Sequence, residues 1–189
     1  LTNQTGEPEG RYYLRPASNG VLAFRGRGFK SWGDFPDFFF FGGNSELRGY
    51  DYLSFVGQKA FFADAELRFP LIEAMLTPLG VMGGLRGTIF FNVGAAGFNA
   101  DTFTPWSSKA ETVTQLVDVV QDPATGGLTP IFATATVDGF RLVDARASYG
   151  IGLQRFGLGF PMHFDWSKLT DLNVTSPGWK FDFWIGYDF

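Results

Sequence analysis

The chain has 189 residues, a formal charge of −4, no cysteine, 45% hydrophobic residues and 23 phenylalanines. Mean hydropathy is only +0.01 and no run approaches the ~20 apolar residues of a membrane helix, which excludes helical membrane proteins. The missing cysteines exclude disulfide scaffolds and thiolate metal sites, and the lack of a basic stripe excludes a nucleic-acid binder.

The chain opens on LTNQTGEPEG, with no Met, basic n-region or apolar h-region, as expected if a leader has been removed or the chain is a piece of something longer. Beyond it, counting by twos separates two faces in segment after segment. RYYLR at 11–15 is a short candidate strand, and next Leu22 and Phe24 oppose Arg25 and Arg27. From 61 to 71 the apolar set is Phe61, Ala63, Ala65, Leu67, Phe69 and Leu71, against Phe62, Asp64, Glu66 and Arg68. From 85 to 95, Leu85, Ile89, Phe91 and Val93 oppose Arg86, Thr88, Phe90 and Asn92. From 143 to 153, Val143, Ala147, Tyr149, Ile151 and Leu153 oppose Asp144, Arg146 and Ser148. Met162, Phe164 and Trp166 then oppose His163, Asp165 and Ser167. Finally Phe181, Phe183, Ile185, Tyr187 and Phe189 alternate with Lys180, Asp182 and Asp188.

These segments make about six strands, with 11–15 as a seventh, and many are near the ~9 to 11 residues of a tilted membrane-spanning strand. A soluble sandwich also alternates, but its strands are usually shorter, and here the polar face carries Gly, Ser, Asn and paired charges as a wet lumen does. A one-residue slip of 61–71 would put Asp64, Glu66 and Arg68 into lipid, at up to ~2–4 kcal/mol for an arginine at the midplane.

The connections TPLGVMGG at 77–84 and TSPG at 175–178 read as compact turns, whereas 30–58 and 99–140 are long. Within the second, Ser108 and Glu111 suit a capping box ahead of a helix through TVTQLVDVV, while PATGG at 123–127 and the alternating IFATATV at 131–137 suit a hairpin. Both remain open. Six or seven strands enclose too little space for their own side chains, and an unpaired edge in lipid is forbidden. Residues 1–189 therefore read as the C-terminal part of a single barrel domain, with upstream strands and any periplasmic domain outside this chain. Strands from another chain are the other way to complete it.

GGNSELRGYDY at 42–52 contains Leu47-Arg48-Gly49-Tyr50, an aliphatic residue, Arg, Gly and an aromatic in sequence. With this tetrapeptide, most of residues 11–189 resemble the C-terminal half of barrels of the bacterial surface antigen superfamily, the BamA and TamA type of outer-membrane assembly and translocation factor. The resemblance implies an all-β, antiparallel transmembrane β-barrel portion of about six to eight strands, with a long loop folded into the lumen and the tetrapeptide at its tip. A guanidinium placed there cannot deprotonate and needs an acceptor on the wall, and Glu66 is the natural candidate, with Gly49 allowing a tight turn. Phe90-Phe91-Asn92-Val93-Gly94 is similar to a family signature whose Asp is the arginine's other partner; here that residue is Asn92, which accepts a hydrogen bond without charge. ASYGIGLQRF at 147–156 and HFDWS at 163–167 match the family's penultimate strands. Phe183, Ile185, Gly186, Tyr187 and Phe189 resemble the terminal β-signal of outer-membrane proteins, read by strand addition.

His163, the single histidine, reads as a lumen-facing structural residue despite Asp165 and Ser167 on the same face. DFPDFFFF at 34–41 reads as aromatic packing of the folded-back loop in preference to a client-binding patch. No catalytic residue, cofactor or metal is expected. The resemblance implies a non-enzymatic role in protein assembly, insertion or polypeptide translocation in the bacterial outer membrane. The implied partners are outer-membrane lipid and lipopolysaccharide, a client or passenger polypeptide, the outer-membrane assembly machinery, and the remaining barrel strands. The alternatives are a barrel that anchors or exports an N-terminal enzyme domain such as a patatin-like lipase, and a passive pore or anchor.

Overall fold

The computed structural model of the chain describes residues 2–17, 19–77, 80–121, 126–157, 159–187 and 189. Among these residues fourteen strands follow in order: β1 (Asn3–Gly6), β2 (Glu9–Ala17), β3 (Gly20–Gly33), β4 (Phe39–Phe41), β5 (Phe55–Gly57), β6 (Lys59–Thr77), β7 (Gly80–Gly97), β8 (Trp106–Ser107), β9 (Glu111–Gln121), β10 (Leu128–Val137), β11 (Arg141–Leu142), β12 (Arg146–Gly157), β13 (Phe160–Thr170) and β14 (Lys180–Ile185). One antiparallel sheet of eight strands dominates. Both β1 and β2 pair with β3, and the sheet continues through β6, β7, β12 and β13 to β14. The remaining strands form three small pairs, β4 with β5, β8 with β11 and β9 with β10.

Connections alternate in length. β2 and β3, β6 and β7, and β12 and β13 are each separated by two residues, whereas 34–58, 98–145 and 171–179 connect strands at the opposite end of the sheet. TSPG thus belongs to the long-loop end. The compact connection expected at 77–84 is shorter than that span, because β7 begins at Gly80 and its ladder with β6 runs to Thr77↔Gly80. Pro78, Leu79, Pro123 to Thr125 and Asp188 lie outside the described residues.

Burial is inverted relative to a protein dissolved in water. Ile89, Ile151, Phe181, Phe183 and Ile185 are each half or more exposed on one face, while Asp64, Glu66, Asn92, His163, Asp165 and Ser167 are buried on the other. In register, Leu67, Ile89, Ile151, Trp166 and Phe181 form one cross-strand row of the apolar face. Such a face is stable where hydrocarbon is the solvent.

The sheet curls toward its polar face. On a flat sheet β6 and β13, three strand spacings apart, would lie about 14 Å from each other. Yet Glu66 of β6 and Asp165 of β13 both contact the side chain of Arg48, at 2.5 and 3.2 Å. Among the described residues β14 makes no pairing with β1 or β2, so the sheet does not close on itself, in keeping with a barrel portion; the loop expected in an enclosed lumen lies instead on the inner face of an open sheet. Phe39, Phe41 and Leu47 from the loop are buried inside the curl, a space that a closed eight-stranded barrel fills with its own inward side chains.

Segment 108–137, open between helix and hairpin, is a hairpin. β9 and β10 pair from Glu111↔Val137 to Gln121↔Leu128 and stand clear of the sheet, with Leu116, Val117 and Phe132 exposed. The β-branched residues favour the strand conformation. At its base Arg141 bonds Glu111 and the carbonyl oxygen of Lys109. β1, NQTG, was not expected, since it carries no apolar alternation.

Ile89→Arg should lower the folded fraction after refolding into lipid vesicles, at a cost of about 2–4 kcal/mol if the residue lies near the bilayer midplane. Leu116→Arg on the projecting hairpin should leave it unchanged. Heat-modifiable gel mobility reads both, and equal effects would contradict the assignment of faces.

Candidate functional site: an arginine docked on the inner face

The loop between β3 and β6 turns back through the short β4–β5 pair, where Phe39↔Gly57 and Phe41↔Phe55 are in register. Alternation sorts the DFPDFFFF stretch. Phe39 and Phe41 are buried, while Phe35, Phe38 and Phe40 are exposed. Phe41 stacks on Phe62 of β6 and on Phe55, at ring separations of 5.4 and 5.0 Å, and Phe39 stacks on Phe29 of β3 at 4.9 Å. This aromatic layer lowers the loop onto the sheet. A Cβ at Gly94 of β7 would lie 2.7 Å from the Phe41 ring, so the sheet accepts that ring only over a glycine.

Below this layer Leu47-Arg48-Gly49-Tyr50 meets the inner wall. Leu47 is fully buried in the aromatic cluster. Arg48 is 2% exposed; its Nη2 lies 2.5 Å from Glu66 Oε1 and its Nε 3.2 Å from Asp165 Oδ2, with the guanidinium 4.5 Å from the Phe90 ring centroid. Arg68 Nε donates to the other Glu66 oxygen at 2.6 Å, and Trp184 Nε1 donates to Asp165 at 2.8 Å. Two arginines and two acids thus balance in a space from which water is largely excluded, the condition under which buried charges are tolerated.

Gly49 has φ +85°, and a Cβ there would come within 2.5 Å of Ser167 Oγ and 2.8 Å of Leu169 Cδ2, so turn and wall both require glycine. The Tyr50 hydroxyl donates to the Ala147 carbonyl oxygen of β12 at 3.3 Å; burial raises its pKa, keeping the donor proton in place. Lys180 of β14 reaches Asp51 of the same loop at 3.0 Å. The loop therefore touches β6, β12, β13 and β14.

Glu66 stands where the sequence places it, against Arg48. Asn92 does not supply the second anchor: its Nδ2 donates to Asp64 Oδ1, its register partner across β6 and β7, and Asp165 provides the second acid. An aspartate at 92 would face the Asp64 carboxylate directly, whereas the neutral amide bonds to it. In sequence Asp165 stands beside His163 and Ser167 on its own strand, and nothing local there points to Arg48, 117 residues earlier. The available signal was an inward acid with no cation opposite it on its own hairpin. His163 stacks on Trp184 at 3.6 Å and its Nε2 lies 2.9 Å from the Gly186 carbonyl oxygen, while Ser167 bonds the Lys180 carbonyl oxygen.

Phe183 and Ile185 lie on the apolar face as expected, and Tyr187 is exposed. Phe189 departs from that row. Pairing with β13 ends at Met162↔Ile185, where the next residue of β13, Pro161, has no N–H to give. Gly186 still donates to the Pro161 carbonyl oxygen, but the chain bends and Phe189 is buried on the inner face, its ring 4.8 Å from the Arg68 guanidinium and 5.5 Å from that of Arg25.

Arg48→Ala leaves two buried acids without their shared cation and should destabilise the folded chain by about 3–5 kcal/mol. Arg48→Lys should restore little, since one ammonium cannot span two carboxylates as a planar fork does. Arg11→Ala, which removes an exposed pair with Glu9, should have no detectable effect. Urea midpoints in detergent micelles read the series, and an Arg48→Ala midpoint equal to that of Arg11→Ala would contradict the dock.

In comparisons with known proteins, the Omp85 superfamily domain matches residues 15–189, a span that includes the docked loop, both of its acids and the terminal segment. No curated protein and no solved structure matches the chain. Omp85 proteins are outer-membrane β-barrels acting in assembly or transport, the class to which the bacterial surface antigen resemblance points. By a match over nearly its whole length, the chain belongs to the Omp85 superfamily.

Proposed function

We propose that the chain is the C-terminal portion of the barrel of a bacterial outer-membrane protein assembly, insertion or polypeptide translocation factor, working without catalysis. The observation that carries this reading is the docked Arg48. A loop from the long-connection end is fastened by buried charge to strands three positions apart, so it holds the curl of a sheet whose edges are unpaired.

Edges of this kind have a chemical consequence. Among the described residues the outer backbone groups of β14 and of the β1/β2 side have no ladder partners, and in hydrocarbon each unsatisfied group costs several kcal/mol. Upstream strands, or strands from another chain, would complete the wall. A seam that is held in shape by the loop, more than by its own ladder, is one that an incoming strand can enter by β-augmentation, its backbone pairing with an edge while alternate side chains set register. In this reading Leu47, Arg48, Gly49 and Tyr50 with Glu66 and Asp165 keep the wall curved. Phe183, Ile185, Gly186 and Tyr187 present the last strand, and the partners are client or passenger polypeptide, lipid, lipopolysaccharide and the assembly machinery.

The test is reconstitution of the full-length protein in liposomes, supplied in parallel with a denatured outer-membrane barrel client and a secreted passenger. Wild-type protein should raise the protease-protected yield of one of them several-fold over empty liposomes, and Arg48→Ala should bring it close to background. Yields equal to empty liposomes with both substrates would contradict the proposal.

A further inference from the structure

The apolar face of the sheet is not smooth. Gly87 of β7 lies in register between Phe69 of β6 and Leu153 of β12, and the Phe69 ring folds down over the glycine, where a Cβ would come within 2.7 Å of it, so the face stays low there. From the Phe69 ring a groove of about 730 Å³ runs upward past Ile89, Ile151 and Trp166 to Trp179, and its lining, apart from Thr88, is apolar or glycine. That volume lies within the range of small-ligand sites, ~300–1,000 Å³.

The chemistry at the upper end of the groove identifies an occupant. In the rows nearer the long-loop end, Phe91, Tyr149 and Lys168 are cross-strand partners on the same face. The Lys168 ammonium lies 5.5 Å from the ring centroid of Trp179, and no ion pair among the described residues engages it. Tyrosine, tryptophan and lysine beside an apolar strip make an interfacial belt, the depth at which lipid headgroups sit. A cation above an acyl-sized groove complements a molecule with an anionic head and a hydrocarbon tail.

We propose that this face binds one phosphate-bearing lipid of the adjoining leaflet. Lys168 and Tyr149 hold its head, and its acyl chain runs past Trp166 toward the Phe69 ring that lies over Gly87. The proposal rests on the membrane reading of the apolar face, but not on client transport. The groove spans β6 to β13, at a distance from the β1/β2 edge.

Tryptophan quenching tests it. Full-length protein is reconstituted in phosphatidylcholine vesicles containing either phosphatidylglycerol or phosphatidylcholine with brominated acyl chains, and quenching is compared with that of a Trp166→Phe, Trp179→Phe variant. One lysine at the surface predicts about five-fold preference of the site for the anionic lipid. Lys168→Ala should reduce that ratio to one, Lys168→Arg should keep it, and Gly87→Leu should weaken quenching at Trp166, because a Cβ at 87 would lie 2.7 Å from the Phe69 ring and push it into the groove. A ratio of one in the wild type, or a preference indifferent to Lys168→Ala, overturns the site and leaves the membrane reading intact. No quenching by either brominated lipid overturns both.

Discussion

A guanidinium at the bilayer midplane costs about 2–4 kcal/mol, and this chain places Arg25, Arg27, Arg68 and Arg86 at alternate positions along strands whose intervening residues are largely apolar. That constraint decides the sheet. Because the side-chain period of a strand is two, one choice of face for Arg68 also fixes Asp64 and Glu66 on its strand, and pairing carries the choice to Asn92, Ser148, Ser167 and Asp165. Collecting charge on one side, however, requires that it be neutralised there. Curvature brings β6 and β13 close enough for one arginine to serve both, so charge burial and sheet shape are a single problem.

The solution uses a loop instead of the wall itself. Aromatic stacking of Phe39, Phe41 and Phe55 supplies non-directional burial, and Arg48 supplies direction, since a planar fork can meet two acids only in one orientation. Glycines at 49 and 94 let backbone and ring approach the wall.

Much of this was legible in the sequence. Alternation identified seven of the eight strands of the sheet and its two faces, and the family resemblance carried by the tetrapeptide, with one inward acid beside it, implied Arg48 with Glu66. What escaped has physical reasons. β1 has no apolar residue to mark a face. The partnership of Asp165 with Arg48 depends on curvature over three strands, a long-range property absent from local periodicity. The inward course of Phe189 follows from Pro161, on the neighbouring strand, which lacks the donor that would extend the ladder. The β9–β10 hairpin was ambiguous because its β-branched residues also fit a capped helix in length, and no packing against the sheet decided between them.

Alternation of environment along one strand is the central claim, and the absence of native cysteine from this chain makes it measurable with single spin labels. Labels at 149, 151 and 153 of β12, compared with labels at 148 and 154, should show oxygen collisions dominating at the odd positions of vesicle-reconstituted protein, with exclusion of a water-soluble nickel complex, and no such oxygen preference at the even ones. Equal nickel accessibility at odd and even positions would show that water bathes both faces and would contradict the account.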